Sequence, residues 1–430
     1  MRRIVAMAAV LFVGIGPALA AGPAHWPAWR GPDGTGVGDA TGIPDEWSAT
    51  KNVRWKVAID GHGMATPIIW GDKVFVLTAI RTDKTGTPAA VAEPTKVHKF
   101  TVLCFDRKTG RTLWEQTAVE QLPHEGFNRD FGSFASGSPV TDGEHLFVNF
   151  GSRGVYAYDM DGNLAWKTDL ARMSTRNAFG EGVSPVVYGD KLVIQHDHEG
   201  ASYITVLDKK TGREIWKTAR DVRSTWSTPA VVAVNGQPQV IALGSPDVIS
   251  YDLATGEERW RCGGMTSNPI PTVVTGHGMV YAMTGYRGNA LRAIRLGYTG
   301  DLTNNTQAIA WSLERGTPYV PSPLLYGDEL YLLRVRGTIA CYDAKTGKRH
   351  YNDTRIPGLN GTRFHTSPVG AGDRIYCLSM DGTCAVLKRG KKLEVVATNK
   401  IDEEFSASPA VAAGDLFLRG DKHLYCIGTN

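Results

Sequence analysis

The chain has 430 residues, 42% of them hydrophobic, with 49 Gly and 22 Pro, a composition that excludes disorder, collagen-like repetition and a coiled coil. The 47 basic side chains against 43 acidic ones leave a net charge of +4; so thin an excess excludes a dedicated nucleic-acid binder, which concentrates its basic residues on one face. Length alone suggests two or three domains at about 150 residues each, an estimate that fails where the chain is an internal repeat.

Residues 1–20 open on Met1-Arg2-Arg3, continue through the uncharged stretch Ile4 to Gly16, and end on Ala18-Leu19-Ala20. A basic start, an apolar run too short to cross a bilayer comfortably and a small-x-small end predict a secretory signal cleaved after Ala20. No Cys lies near that point, so no lipid anchor is expected, and no later run is long and apolar enough to span a membrane. The mature protein is expected to be periplasmic or secreted. Residues 21–50 read as an extended arm packed on the surface of the domain formed by residues 51–430; its Asp33-Gly34-Thr35-Gly36 stretch lacks the spaced acidic ligands of a calcium loop.

From Asn52 onward one unit recurs. A polar residue and Pro are followed by an apolar run, a tight turn, a second apolar run, a loop, a third run ending in an acidic turn, and a Trp. Pro67, Pro139, Pro185, Pro229, Pro269, Pro323, Pro368 and Pro409 each open a unit, and after the first the intervals are about 40 to 55 residues. The first is lengthened by an insertion near residues 80–101 and a connector at 115–134. Turns such as Trp70-Gly71-Asp72, Tyr188-Gly189-Asp190 and Tyr326-Gly327-Asp328 stand between strand-type runs, which is a hairpin signal. The third run ends on Asp106, Thr109, Gly110 and Trp114, repeated as Asp208 to Trp216, as Asp252 to Trp260, and as Asp343 to Gly347 with Tyr351 in the Trp slot; a shorter version runs from Asp159 to Trp166. In such a turn the Asp accepts bonds from turn amides and the Trp covers apolar surface between neighbouring sheets.

Four antiparallel strands per unit at this period predict an all-β, eight-bladed β-propeller over residues 51–430, with seven blades as the competing count. The last unit stops at Leu424 to Gly428 without a final strand, whereas Asn52 to Lys56 is a final-type strand with no unit before it. The N-terminal strand is therefore expected to complete the last blade and hide both edges.

Of the six cysteines, Cys104, Cys341 and Cys426 fill a strand slot held by Ala157, Val206 and Ser250 in sibling units, the position of a small core residue. Cys377 and Cys384 flank a turn: they stand where a bridge across the hairpin can form, or an Asp381-Gly382 turn sets Cys384 opposite Ser379. The segment Gln195-His196-Asp197-His198-Glu199 packs two imidazoles and two carboxylates together; its place between second and third strands favours a solvated loop over a shared metal. His124-Glu125 and Arg129-Asp130 lie in the long connector, as part of a site or as exposed charge pairs. No catalytic set emerges from spacing, and no metal site is assigned.

The geometry of a propeller places the residues just before each Pro around the mouth of the central channel: Met64, Ser136, Glu181, Trp226, Asn268, Tyr319, Phe364, His365 and Phe405. They form a funnel for a ligand or peptide, or a plug. On the same face Arg153, Arg287, Arg336 and Arg419 each precede a Gly, with Arg334 close by; together they are expected to make a positive rim for a protein partner, an acidic glycan or another small anion, unless local acids pair them.

The Asp-x-x-Thr-Gly-x-x-x-Trp segments resemble the tryptophan-docking repeats of the pyrroloquinoline quinone (PQQ)-type propellers, over roughly residues 52–428. The resemblance implies the propeller fold and two roles: quinoprotein alcohol or sugar dehydrogenases, and non-enzymatic members of the BamB-like branch. In the first branch it implies a quinone held between a Trp and a ring of two adjacent cysteines, a bound calcium and a catalytic Asp. No adjacent Cys pair occurs in this chain. The expectation is therefore a monomeric, exported scaffold without cofactor, membrane insertion or nucleic-acid partner. The alternative is a PQQ- and calcium-dependent oxidoreductase, or another sugar-active propeller enzyme, with its site at the funnel.

Overall fold

The computed structural model describes residues 25–88, 94–130, 132–359 and 361–429; the expected signal segment and its cleavage point lie outside them. The described residues form eight antiparallel sheets and no α-helix, so the protein is the eight-bladed β-propeller the repeat predicts. Blades are numbered by their innermost strands: Ile68–Trp70, Val140–Thr141, Val186–Tyr188, Ala230–Val234, Val274–Gly276, Leu324–Tyr326, Val369–Ala371 and Ala410–Ala412.

The repeated residues explain why each blade forms. Seven of the eight innermost strands follow a Pro directly; Pro lacks an N–H, and an innermost strand has a free edge where none is needed. Blade 5 is the exception. Thr272-Val273 stands where the other blades carry a polar residue and Pro, and Pro269, expected to open that unit, lies upstream and accepts the Trp226 N–H on its carbonyl at 2.8 Å. Second and third strands, such as Lys191–His196 and Tyr203–Asp208, are buried along most of their length, as strands covered on both faces must be. In blade 1 the insertion lengthens them into the hairpin Lys73–Thr85 and Lys96–Asp106, and the outer strand runs Thr112–Gln121, so part of the expected connector is sheet.

The acidic turn and the Trp join neighbouring blades. Asp106 Oδ1 accepts from the Thr109 N–H and hydroxyl, both at 2.8 Å, and Asp208 and Asp343 repeat the pattern. In blades 1, 2, 3 and 5 the indole of the outer strand lies on the turn glycine of the next blade and donates to a carbonyl of the same turn: Trp114 to Met160, Trp166 to Lys209, Trp216 to Leu253 and Trp311 to Ala344, at 2.8–3.1 Å. Ring closure uses the same joint. Val53–Ala58 pairs antiparallel with His423–Ile427 as the outer strand of blade 8, and its Trp55 donates to Arg107 O of blade 1 at 2.8 Å.

The N-terminal arm departs from the surface position expected of it. His25–Trp26 adds a strand to the inner edge of blade 1, Pro27 O accepts the Thr141 N–H of blade 2 at 2.9 Å, and Val37–Gly38 pairs in parallel with Gly370–Ala371 of blade 7. Residues 28–35 thus run as a chord across one end of the channel. Apolar burial drives this: Trp26 is fully buried, and Arg30 is buried with it, donating to Pro323 O at 2.9 Å. Residues 39–50 then follow blade 7, where Trp47 is buried beside Tyr376 and Asp45 pairs with Arg374 at 2.7 Å.

The six cysteines are free thiols, all buried. Cys384 stands opposite Leu378, one position from the pairing with Ser379 that a two-residue turn would give, while Cys377 stands opposite Ala385.

Candidate functional site

A ring of hydroxyls, which the sequence marks as the polar residue of each unit, lines the channel. Thr66 N donates to Ser138 Oγ, Ser138 N to Ser184 Oγ and Ser184 N to Thr228 Oγ1; beyond blade 5, Thr272 N, Ser322 N and Ser367 N donate in turn to Ser322, Ser367 and Ser408, all at 2.8–3.2 Å. Six of these hydroxyls, on Ser138, Ser184, Thr228, Ser322, Ser367 and Ser408, each satisfy a backbone donor of the preceding blade, which a buried edge requires. From the arm, Trp29 reaches this ring and donates its indole N–H to Thr272 Oγ1 at 2.6 Å. It lines the cavities on both sides of the ring and so divides the channel into a funnel and, on the arm side, a bowl.

The funnel encloses about 160 Å3 and is lined by Glu181, Trp226, Tyr319 and His365, together with Met64, Ser136 and the hydroxyl ring. Six of the mouth residues singled out from sequence therefore meet there. Trp226 is fixed by its indole N–H on Gly180 O at 2.7 Å, and Tyr319 stacks on Tyr286 with ring centroids 4.9 Å apart. Burial lowers the His365 imidazole to about 4. Asn268 and Phe364 are instead buried in the wall; Asn268 accepts from Arg176 at 3.2 Å.

The expected positive rim is not assembled. Arg153 is buried, stacked over Phe100 at 4.7 Å and paired with Glu181 at 3.3 Å. Arg419 is buried and donates to Gly420 O and Asp421 O. Arg287 and Arg336 remain exposed.

Behind the funnel the long connector brings His124 and Glu125 to Glu181, their ligand atoms within 4.8 Å of one another. Each is already engaged. Glu181 accepts from Ser152 N at 2.6 Å and Ser152 Oγ at 2.7 Å, Glu125 from Thr175 N and Oγ1 at 3.0 and 2.6 Å, and His124 Nε2 donates to Met173 O at 2.7 Å.

Of the segment Gln195 to Glu199, expected as a solvated loop, only Glu199 is exposed; the other four residues are buried, and Gln195 and His196 belong to the strand Lys191–His196. Asp197 pairs with Arg220 at 2.9 Å, both side chains fully shielded, and also accepts from Gln195 and Thr225. His196 stacks on Tyr203 at 4.6 Å and donates to Ala171 O at 2.9 Å; burial lowers it to about 4. This is a structural network, and its partner Arg220 is invisible to any reading of the segment alone.

The bowl is far larger, about 1350 Å3, and is lined chiefly by apolar side chains of blades 3 to 6 and by the arm. Sequence reasoning missed it, since the arm that walls it gave no sign of entering the channel.

Comparison with known proteins agrees with this architecture. A PQQ-type family model described as outer membrane protein assembly factor BamB matches residues 98–349 and 200–429. The quinohemoprotein alcohol dehydrogenase ADH-IIG of Pseudomonas putida is 29% identical over 241 residues, 48% of this chain and 32% of that protein, so the match spans about a third of the relative's length. Among solved structures, BamB from Moraxella catarrhalis superposes with a TM-score of 0.54 at 16% identity over 82% of this chain and all of that one. Quinohemoprotein alcohol dehydrogenase from Comamonas testosteroni gives 0.63 at 11% identity, over 96% and 82% of the two chains. The computationally designed Ika8 protein gives 0.54 at 12% identity, over 86% of this chain and all of that one. With the family match running from residue 98 to 429 and the docking tryptophans in place, the chain belongs to the PQQ-type propeller family described by the assembly factor BamB.

Proposed function

We propose that the protein is an exported, non-enzymatic propeller that serves as an interaction scaffold, close in role class to the assembly factor BamB. The observation that carries this reading is the state of the funnel. Its one carboxylate, Glu181, is spent on Ser152 and Arg153, whereas catalysis needs polar groups free to meet a substrate. The quinone of the family's dehydrogenase branch does not fit there. A ligand of that size needs about 300 Å3 or more, against about 160 Å3 enclosed, and among the described lining residues no Arg or Lys faces its carboxylates. No calcium site is assigned either, because the oxygens of Glu181 and Glu125 already accept hydrogen bonds.

With Arg153 and Arg419 turned inward, an anionic ligand such as an acidic glycan is left with Arg287 and Arg336, and a protein partner is the better supported occupant. The near-neutral charge supports neither nucleic acid nor an anionic membrane surface as a partner, and among the described residues no helix is long and apolar enough to cross a membrane. A monomer is proposed. The start Met1-Arg2-Arg3 and the Ala18-Leu19-Ala20 end support export; N-terminal sequencing of protein expressed with its leader is expected to begin at Ala21, and an intact Met1 overturns that part.

The second reading, a PQQ-dependent oxidoreductase, is favoured by the 29% identity to the Pseudomonas putida dehydrogenase. One experiment decides between them: titration of the folded, signal-free protein with PQQ and calcium, followed by quinone absorbance and dye-linked oxidation of alcohols and sugars. The scaffold reading expects neither saturable binding nor turnover. Saturable binding with turnover overturns it.

A further inference from the structure

The arm is itself a strand-addition ligand, and it leaves part of its track empty. Its residues pair with or accept from the inner edges of blades 1 and 2 at one end of the chord. At the other end they meet blade 6, where Thr35 O accepts Leu325 N–H at 3.2 Å, and blade 7. Gly38 packs on Val411 and so covers blade 8. Among the described residues, the innermost strands of blades 3, 4 and 5 end their sheets with no further strand paired to them.

In blades 3 and 4 burial follows the same division. Under the arm, Ile68, Ile69, Leu324, Val369 and Ala410 are buried. On the open arc, Val186, Val187, Ala230, Val231 and Val232 are only half-buried and face the bowl, while in blade 5 Val274 is buried and Thr275 and Gly276 are half-buried. Three adjacent strand edges that carry no further strand among the described residues, each beside apolar side chains, are a template for one more strand.

We propose that the bowl takes one extended, apolar segment of a partner protein, paired by its backbone to the inner edges of blades 3 to 5 so that it continues the track the arm begins. This rests on the scaffold reading and gives it a partner. Apolar character follows from the wall, since the cations that reach the bowl are engaged: Arg389 pairs with Glu329 at 3.1 Å over the Tyr326 ring, and Arg295 donates to Gln307 O. A second copy of the chain is the poorer occupant, because the edges are recessed between the chord and the blades. Main-chain bonds supply affinity, and alternate side chains entering the apolar wall supply selection.

The test uses the folded, signal-free chain and a dye-labelled acetyl-(Val-Thr)3-amide peptide, with a twin N-methylated at alternate residues. Fluorescence anisotropy is expected to give saturable binding of the first peptide and at least roughly tenfold weaker binding of the twin, since each blocked amide removes a backbone bond. Val187→Glu and Val231→Glu are expected to weaken the first peptide at least tenfold with circular dichroism unchanged. Should either variant misfold, hydrogen exchange on the unaltered chain decides, with slowed exchange expected at residues 186–188, 230–234 and 274–276 on peptide addition. Absence of saturation up to about 1 mM (a free energy of only about 4 kcal/mol), equal affinity for the twin, or unchanged exchange at those strands overturns the proposal. Self-association of the free chain that protects the same strands overturns the choice of partner. Such failures leave the scaffold reading standing, whereas quinone turnover removes that reading whatever the peptide does.

Discussion

The joint between blades can be tested at one glycine. Gly212 has φ +69°, and a Cβ built there would lie 2.4 Å from Cε3 of Trp166 and 2.6 Å from Thr168 Oγ1. Neither neighbour can withdraw easily. The indole is tied to Lys209 O at 2.9 Å, and Thr168 Oγ1 donates to Gly212 O at 2.7 Å. Gly189 is the matched control, with φ +59° and nothing within 4 Å of its would-be Cβ. Both Ala substitutions incur the left-handed backbone penalty of about 1–2 kcal/mol. Only Gly212→Ala adds the overpacking penalty of about 1–3 kcal/mol. Urea unfolding is expected to place Gly189→Ala about 1 kcal/mol and Gly212→Ala about 3 kcal/mol below the parent, with equal m-values. In a Trp166→Ala background the excess of Gly212→Ala is expected to shrink, because the nearer of its two clashes is gone and only that with Thr168 Oγ1 remains. Equal losses for the two glycines, or an excess undiminished without the indole, refutes the view that the turn glycine exists to seat the Trp.

Asp197→Ala is expected to cost about 3–5 kcal/mol in urea unfolding, because it leaves the Arg220 charge buried and alone, and the added Arg220→Met change is expected to recover most of that loss. Burial holds His196 at about 4 against about 6.5 in the unfolded chain. Its contribution is thus present in full above pH 6.5 and is lost as pH falls towards 4, by up to about 3 kcal/mol; a thermal scan at pH 7 and 4.5 is expected to show the loss shrink in His196→Gln. Trp29→Ala is expected to lower stability by about 3 kcal/mol, and a crystal structure of the variant is expected to show ordered water running from funnel to bowl; a channel still closed by other side chains refutes the partition.

What the sequence made legible was whatever repeats. The turn from Asp106 to Gly110 and the Trp114 that follows recur with constant offsets because each joint between blades imposes the same geometry, and the solitary strand at Trp55 was readable because the last blade lacked one. Blade 5 shows the limit. Thr272 occupies the ring without a following Pro, so a marker sought in sequence settled on Pro269 instead. Site residues were harder, since orientation depends on the neighbouring blade. Arg153 and Arg287 stand in equivalent Arg-Gly turns, yet Phe100 and Glu181 draw the first inward while the second lies at the surface over Tyr286. Asp197 looked like a loop carboxylate because the residue that neutralises it, Arg220, belongs to the next connector.

The arm links these two scales. A propeller with an open channel leaves eight innermost strand edges facing water, and closing them by repetition alone is impossible because the repeat is what creates them. A single non-repeating segment resolves the conflict, and its partners are necessarily remote in sequence: Trp29 meets Thr272, Arg30 meets Pro323 and Gly36 meets Gly370. No local pattern encodes those meetings, which is why residues 25–38 read as a surface tail. The same constraint fixes where new function can enter this fold. The arm bonds to the inner edges of blades 1, 2, 6 and 7, the funnel's Glu181 is paired with Arg153, and among the described residues the inner edges of blades 3 to 5 carry no further strand and stand next to apolar surface. A ligand gains most where the protein has left its own groups unpaired, so the arm, by stopping short, defines the binding surface as much as the blades do.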